Sequence, residues 1–155
     1  MPGAERTDLD VKKTILLVED SKVQKRAIEK ILLKAGYLVL LACDGEEALR
    51  LAGESVPDMI LLDLLLPGIG GEEVLYKLKR DPHTAQIPVI VVSYLPLAHS
   101  AQMKAAGAAD YFEKSKFLED VEGEAAFLNM IDRVFRDSEP RTETKKQISM
   151  GAGRQ

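Results

Sequence analysis

Unbroken apolar runs alternate with amphipathic stretches along most of this chain. Ile15-Leu16-Leu17-Val18, Met59-Ile60-Leu61-Leu62 and Val89-Ile90-Val91-Val92 carry no polar residue. A strand covered by helices on both faces reads this way, without alternation. Strands are predicted at Thr14–Val18, 37–42, 59–63, 89–92 and 111–113. Ser21 can cap a first helix, with Val23, Ala27, Ile28, Ile31, Leu32 and Ala35 on one face and Gly36 as its stop. Asp44-Gly45-Glu46-Glu47 opens a second helix, with acids in its first turn. A third spans roughly Gly71–Arg80, turning Val74, Leu75 and Leu78 inward and Glu72, Glu73, Lys77 and Lys79 outward. Pro96 opens a fourth, through about Ala106, on which Met103, Ala105 and Ala106 are packing residues. The last helix, over 118–136, is expected to bury Val121, Ala125, Leu128, Ile131 and Phe135. Strand and helix thus alternate five times. That order predicts an α/β fold of three layers: a doubly wound, five-stranded parallel sheet with right-handed crossovers.

Periodicity is confined to residues 13–136, the expected domain. Residues 1–12 read as a flexible arm, and 137–155 as a disordered tail or the start of a linker, mixing charge with Ser, Thr and Gly. The chain has 155 residues, 46% hydrophobic and 30% charged, enough for a proper core. Its net charge of -4 gives no general attraction to nucleic acid or anionic membrane. No apolar stretch approaches the ~20 residues that span a bilayer. The single cysteine, Cys43, makes no internal disulfide and reads as a small apolar filler. His83 and His99 stand alone and are expected at the surface. A cytoplasmic location is the expectation.

The ends of the strands carry the chemistry. Ligands of open α/β sheets sit beyond the carboxyl ends of the strands. Glu19 and Asp20 follow the first strand, Asp63 ends the third, Ser93 the fourth and Lys114 the fifth. Three carboxylates on one rim repel one another and call for a cation. Oxygen donors suit Mg²⁺, which commonly takes one or two carboxylates together with a phosphate. Asp63 is central and suits a nucleophile that forms an aspartyl phosphate. Lys114 would then meet the phosphoryl charge, and Ser93 would donate a hydrogen bond to it.

The chain resembles the receiver domains of two-component response regulators, which have a flavodoxin-like fold. Ile15-Leu16-Leu17-Val18-Glu19-Asp20, Leu61-Leu62-Asp63-Leu64-Leu65-Leu66-Pro67-Gly68, Val91-Val92-Ser93 and Tyr111-Phe112-Glu113-Lys114 carry the resemblance, over roughly residues 13–136. It implies that Asp63 accepts phosphate from the phosphohistidine of a sensor histidine kinase or a histidine phosphotransfer protein. It implies Mg²⁺ on Glu19, Asp20, Asp63 and the backbone carbonyl of Leu65. Ser93 would be the switch hydroxyl, Tyr111 the switch aromatic that turns inward, and Lys114 the phosphate contact. The first helix, with Val23, Lys25, Arg26 and Lys30, would shape the kinase contact. The fourth helix, fifth strand and fifth helix would present the output surface to a downstream protein, without nucleic acid or membrane.

Three departures stand out. The family carries proline after the lysine, in a cis peptide; here it is Ser115, which leaves a trans bond open. The residue after the switch hydroxyl is usually small; here it is Tyr94. Leu65 and Leu95 occupy positions that influence dephosphorylation, and both are apolar, so slow loss of phosphate is expected. With no foldable segment after Arg136, a single-domain regulator or relay is expected, or a piece of a larger one. The alternative is a phosphorylation-independent interaction module, which tends to lose the metal-binding acids retained here. A phosphatase of the haloacid dehalogenase type wants a second aspartate where Leu65 stands.

Overall fold

The computed structural model describes residues 11–119 and 122–139. Most of the expected arm and tail lies outside them. Five parallel strands form one sheet: β1 (Thr14–Val18), β2 (Leu38–Ala42), β3 (Met59–Leu62), β4 (Val89–Ser93) and β5 (Asp110–Glu113), in the order β2-β1-β3-β4-β5. The helices are α1 (Lys22–Lys34), α2 (Gly45–Ser55), α3 (Gly71–Arg80), α4 (Ser100–Ala105, led by a 3-10 turn, Leu97–His99), α5 (Lys116–Glu119) and α6 (Glu122–Ser138). The expected flavodoxin-like architecture is present.

The sheet divides the core into two layers, because successive side chains of a strand leave on opposite faces. Leu16, Val18, Ile60, Leu62, Val89 and Val91 pack against Ala48, Ala52, Val74, Leu75 and Leu78 of α2 and α3. Ile15, Leu17, Met59, Leu61, Ile90 and Val92 pack against Ile28, Leu32, Phe127, Ile131, Val134 and Phe135 of α1 and α6. Every residue of β3 and β4 is buried, so both lead directly to the rim.

Several sequence expectations are corrected. On α1, Ile28 and Leu32 are buried, while Val23 is 80% exposed and Ala27 and Ala35 lie at the surface. The last helix is replaced by two segments, α5 and α6. Gly123 sits against the Lys116 carbonyl group, where a Cβ would come within 2.7 Å of its carbon. Ile131 and Phe135 are buried as expected, joined by Phe127 and Val134, while Leu128 is half-buried and Ala125 exposed. Phe127 anchors the stripe on Phe112 and Phe117, with ring centroids 5.0 Å apart in each case. Val121 lies outside the described residues. Cys43, at the end of edge strand β2, is exposed rather than packed, and Lys25 Nζ donates to its sulfur at 3.5 Å.

Of the four charges expected on the wet face of α3, Lys79 is the exception. It lies half-buried and donates to the carbonyl oxygens of Ala85 and Ile87 at 2.8 and 2.7 Å. On α4, Met103 is buried, whereas Ala105 and Ala106 are exposed.

Candidate phosphoacceptor site

The carboxyl ends of β1, β3, β4 and β5 bring Glu19, Asp63, Ser93 and Lys114 to one rim. All four are polar and buried, with exposures of 3%, 6%, 0% and 2%. Buried polar groups persist only when partnered. Here the partners come largely from one another.

Lys114 is the hub. Its Nζ donates to Glu19 Oε1 at 2.6 Å and to Gln24 Oε1 at 2.7 Å, and lies 3.4 Å from Asp63 Oδ2. The Tyr94 ring covers it, with its centroid 5.1 Å from the ammonium. No cis peptide bond occurs among the described residues, so Lys114-Ser115 is trans. The backbone of Lys114 is fixed by its N–H donating to the Ser93 carbonyl at 2.7 Å. Gln24 was missed in the sequence. A glutamine in the first turn of a helix reads as surface, and nothing local signals that a residue 90 positions away will meet it.

Asp63 follows β3 directly. Its Oδ1 accepts from the Leu65 N–H at 3.3 Å. Burial pushes its carboxyl pKa up; the Lys114 ammonium opposes this, and the Glu19 charge reinforces it. An aspartate desolvated in this way, with a cation at hand, is the kind of group found at reactive centres. Gly71 allows the next helix to begin hard against the site. A Cβ there would lie 2.6 Å from Leu64 Cα and would also strike the Asp63 carbonyl.

Asp20 is exposed, beside the buried Glu19. Leu65 is exposed as well, and no described backbone N–H takes up its carbonyl oxygen. Glu19 has both oxygens engaged: Oε1 on Lys114, Oε2 accepting from the Ser21 N–H at 3.0 Å. Among the described residues no three acidic, cysteine or histidine side chains stand grouped as a ready-made ion site. The donors themselves are all oxygen, which fits a hard divalent cation.

Ser93 Oγ accepts from the Leu95 N–H at 3.2 Å, and the Tyr111 hydroxyl donates to the Leu95 carbonyl at 2.8 Å. Both residues hold the same short loop. Tyr111 is buried, so its ring is already turned inward.

The sequence profile of the response regulator receiver domain matches residues 15–126. This chain belongs to that family. The receiver domain is 40% identical over 101 residues to the response regulator PleD of Caulobacter vibrioides, a match covering 64% of this chain and 22% of PleD. It is 35% identical over 122 residues to the DNA-binding dual master transcriptional regulator RpaA of Synechocystis, covering 77% of this chain and 51% of RpaA. The chain thus spans about a fifth to a half of these relatives. Among solved structures, the receiver domain of the sensor histidine kinase PA1611 of Pseudomonas aeruginosa, which holds a magnesium ion in its active-site cleft, superposes with a TM-score of 0.70. That pair is 28% identical, and the match covers 81% of this receiver domain and 98% of the other. Receiver domains are signalling modules rather than metabolic enzymes, and they interact with histidine kinases. The expectation that nucleic acid plays no part gains nothing from relatives that include a DNA-binding regulator. Among the described residues no helix is long and apolar enough to cross a membrane.

Proposed function

We propose that this receiver domain is the phosphoacceptor of a two-component phosphorelay, working in the cytoplasm with a histidine kinase or a histidine phosphotransfer protein. The observation that carries the reading is the buried Lys114 ammonium 3.4 Å from the desolvated Asp63 carboxylate. A phosphoryl group carries its charge on oxygens, and a cation fixed beside the nucleophile stabilises that charge without reorganising. An Asp63 oxygen bonds phosphorus as the P–N bond of the phosphohistidine breaks; the imidazole nitrogen keeps the electron pair and takes up a proton. Lys114 meets one phosphoryl oxygen, and the Ser93 hydroxyl exchanges its contact with the Leu95 N–H for donation to another.

Asp20, Asp63, the Leu65 carbonyl and Glu19 are the residues that would hold Mg²⁺. Bound there, the ion would supply positive charge to the phosphoryl oxygens. Its donor chemistry matches theirs, and of the four Glu19 is the one already committed, to Lys114 and Ser21.

The inward ring of Tyr111 supports a second reading, a phosphorylation-independent interaction module already set in one conformation. Beryllofluoride, which mimics a phosphoryl group on aspartate, separates the two. Mg²⁺-dependent shifts of backbone amides around Asp63 that spread to Ser93, Tyr111 and α6, and vanish in Asp63→Asn, are expected of the phosphoacceptor. A chain indifferent to beryllofluoride and Mg²⁺ is the static module.

A further inference from the structure

An ammonium group has three N–H donors and no acceptor. Around Lys114 Nζ stand three oxygens: Glu19 Oε1 at 2.6 Å, Gln24 Oε1 at 2.7 Å and Asp63 Oδ2 at 3.4 Å. The two short contacts hold the group and the long one leaves a donor facing the nucleophile. Because an ammonium only donates, the Gln24 amide must present its oxygen. Gln24 is fixed in turn: its N–H donates to Ser21 Oγ at 3.3 Å, and the Ser21 N–H donates to Glu19 Oε2 at 3.0 Å. Glu19, Ser21, Gln24 and Lys114 therefore close a ring that ties the end of β5 to the start of α1.

The chemistry of the fourth member matters. Glu19 and Asp63 both attract the ammonium by charge, and with these two alone it is drawn between carboxylates and lies on the nucleophile. A neutral oxygen at a third corner pulls it back without adding a negative charge that would repel the incoming phosphoryl group.

We propose that Gln24 is a positioning residue for phosphoryl transfer to Asp63: its side-chain oxygen holds the Lys114 ammonium so that one donor faces the position a phosphoryl oxygen will take. This rests on Asp63 being the phosphoacceptor. The role is exerted through Lys114, not by contact with the phosphoryl group.

The test follows phosphorylation of the full chain by acetyl phosphate with Mg²⁺, in which an Asp63 oxygen bonds phosphorus and acetate leaves with the electron pair. Gln24→Met keeps the length and loses the oxygen. It is expected to lower the maximal rate about tenfold or more, with the half-saturating donor concentration nearly unchanged. Gln24→Glu keeps an oxygen at that corner but adds the charge that repels the phosphoryl group, so it too should be slower than wild type. In a Lys114→Ala background, Gln24→Met should add nothing, since both changes remove one interaction. An equal loss in both backgrounds, or no loss in either, overturns the inference. Wild-type chain that takes no phosphate at Asp63 overturns the phosphoacceptor reading and this inference with it. A readout on wild-type protein in chelator needs no variant to fold: Lys114 ammonium protons should exchange with water far more slowly than those of the exposed Lys22. Equal exchange overturns the inference while leaving the phosphoacceptor reading standing.

Discussion

The Tyr111 hydroxyl donates to the Leu95 carbonyl oxygen at 2.8 Å, across 16 residues of chain. This bond ties β5 to the loop that follows Ser93, whose hydroxyl oxygen accepts from the Leu95 N–H, so Tyr111 and Ser93 hold the same short piece of backbone. Tyr111→Phe keeps the ring and loses the bond. A net hydrogen bond contributes about 1 kcal/mol, so the melting temperature should fall by about 3 °C for a chain of this size. Amide shifts should concentrate in 93–97. A melting temperature unchanged from wild type would show the bond to be idle.

Asp63 makes the fold less stable at neutral pH than a neutral residue would. Its pKa is raised in the folded state, chiefly by burial, with Glu19 adding to the rise and Lys114 opposing it. Below the ordinary carboxyl value of 3.8 both folded and unfolded chains hold the proton, and nothing is lost. As pH rises through 3.8 the unfolded chain ionises first, and stability drains until pH passes the raised folded value. Asp63→Asn should therefore raise the denaturation midpoint in chelator at neutral pH, and the gain should shrink toward about pH 4. A gain of equal size at both pH values would contradict the burial argument.

Tyr37 sets an alkaline limit. Its hydroxyl donates to Asp132 Oδ1 at 3.1 Å, joining the start of β2 to α6. Burial, and then the Asp132 charge, push its pKa from 10.0 to about 12. The stabilisation is complete below pH 10 and is lost as pH rises from there through about 12. Tyr37→Phe should be less stable than wild type at neutral pH and should flatten this alkaline loss; urea midpoints across the range decide it.

Gly71→Ala tests how tightly Asp63 is seated. The new Cβ would meet backbone, at Leu64 Cα and the Asp63 carbonyl, and neither can rotate away. Overpacking of this kind costs about 1–3 kcal/mol. The midpoint should fall accordingly, and Asp63 should take phosphate more slowly. Wild-type behaviour in both would show that the β3–α3 turn can yield.

Apolar residues guard the site. Leu65 is 59% exposed beside Asp63, and Tyr94 lies over Lys114. Neither Leu65 nor Leu95 offers a side-chain group to orient an attacking water. Phosphate on Asp63 should be lost slowly, over many minutes, and Leu65→Asn should hasten the loss. A half-life of seconds for the isolated phosphorylated chain would contradict this.

The strands were legible because burial on both faces leaves only apolar residues in them, and each run stops where chemistry begins. Glu19, Asp63, Ser93 and Lys114 could therefore be placed on one rim before any contact was known. Gln24 could not, since its meaning depends on a lysine contributed by another element. On α6, Ile131 and Phe135 were legible by period, but Phe127 and Val134 were not: the Gly123–Lys116 packing is a property of two segments together, and helical periodicity within one cannot report it. Val23 fitted an apolar face by period, yet in the first turn of α1 it is left 80% exposed. Lys79 looked like surface charge, because its stem and its carbonyl partners come together only once α3 has docked.

Lys79 has a mechanical consequence. Gly71 seats the first turn of α3 on the Asp63 carbonyl, while Lys79 bolts its last turn to Ala85 and Ile87, just ahead of β4. A helix fastened at both ends acts as a strut. A displacement at Asp63 is therefore not taken up by sliding α3 along the sheet; the helix passes it on to the segment ahead of β4.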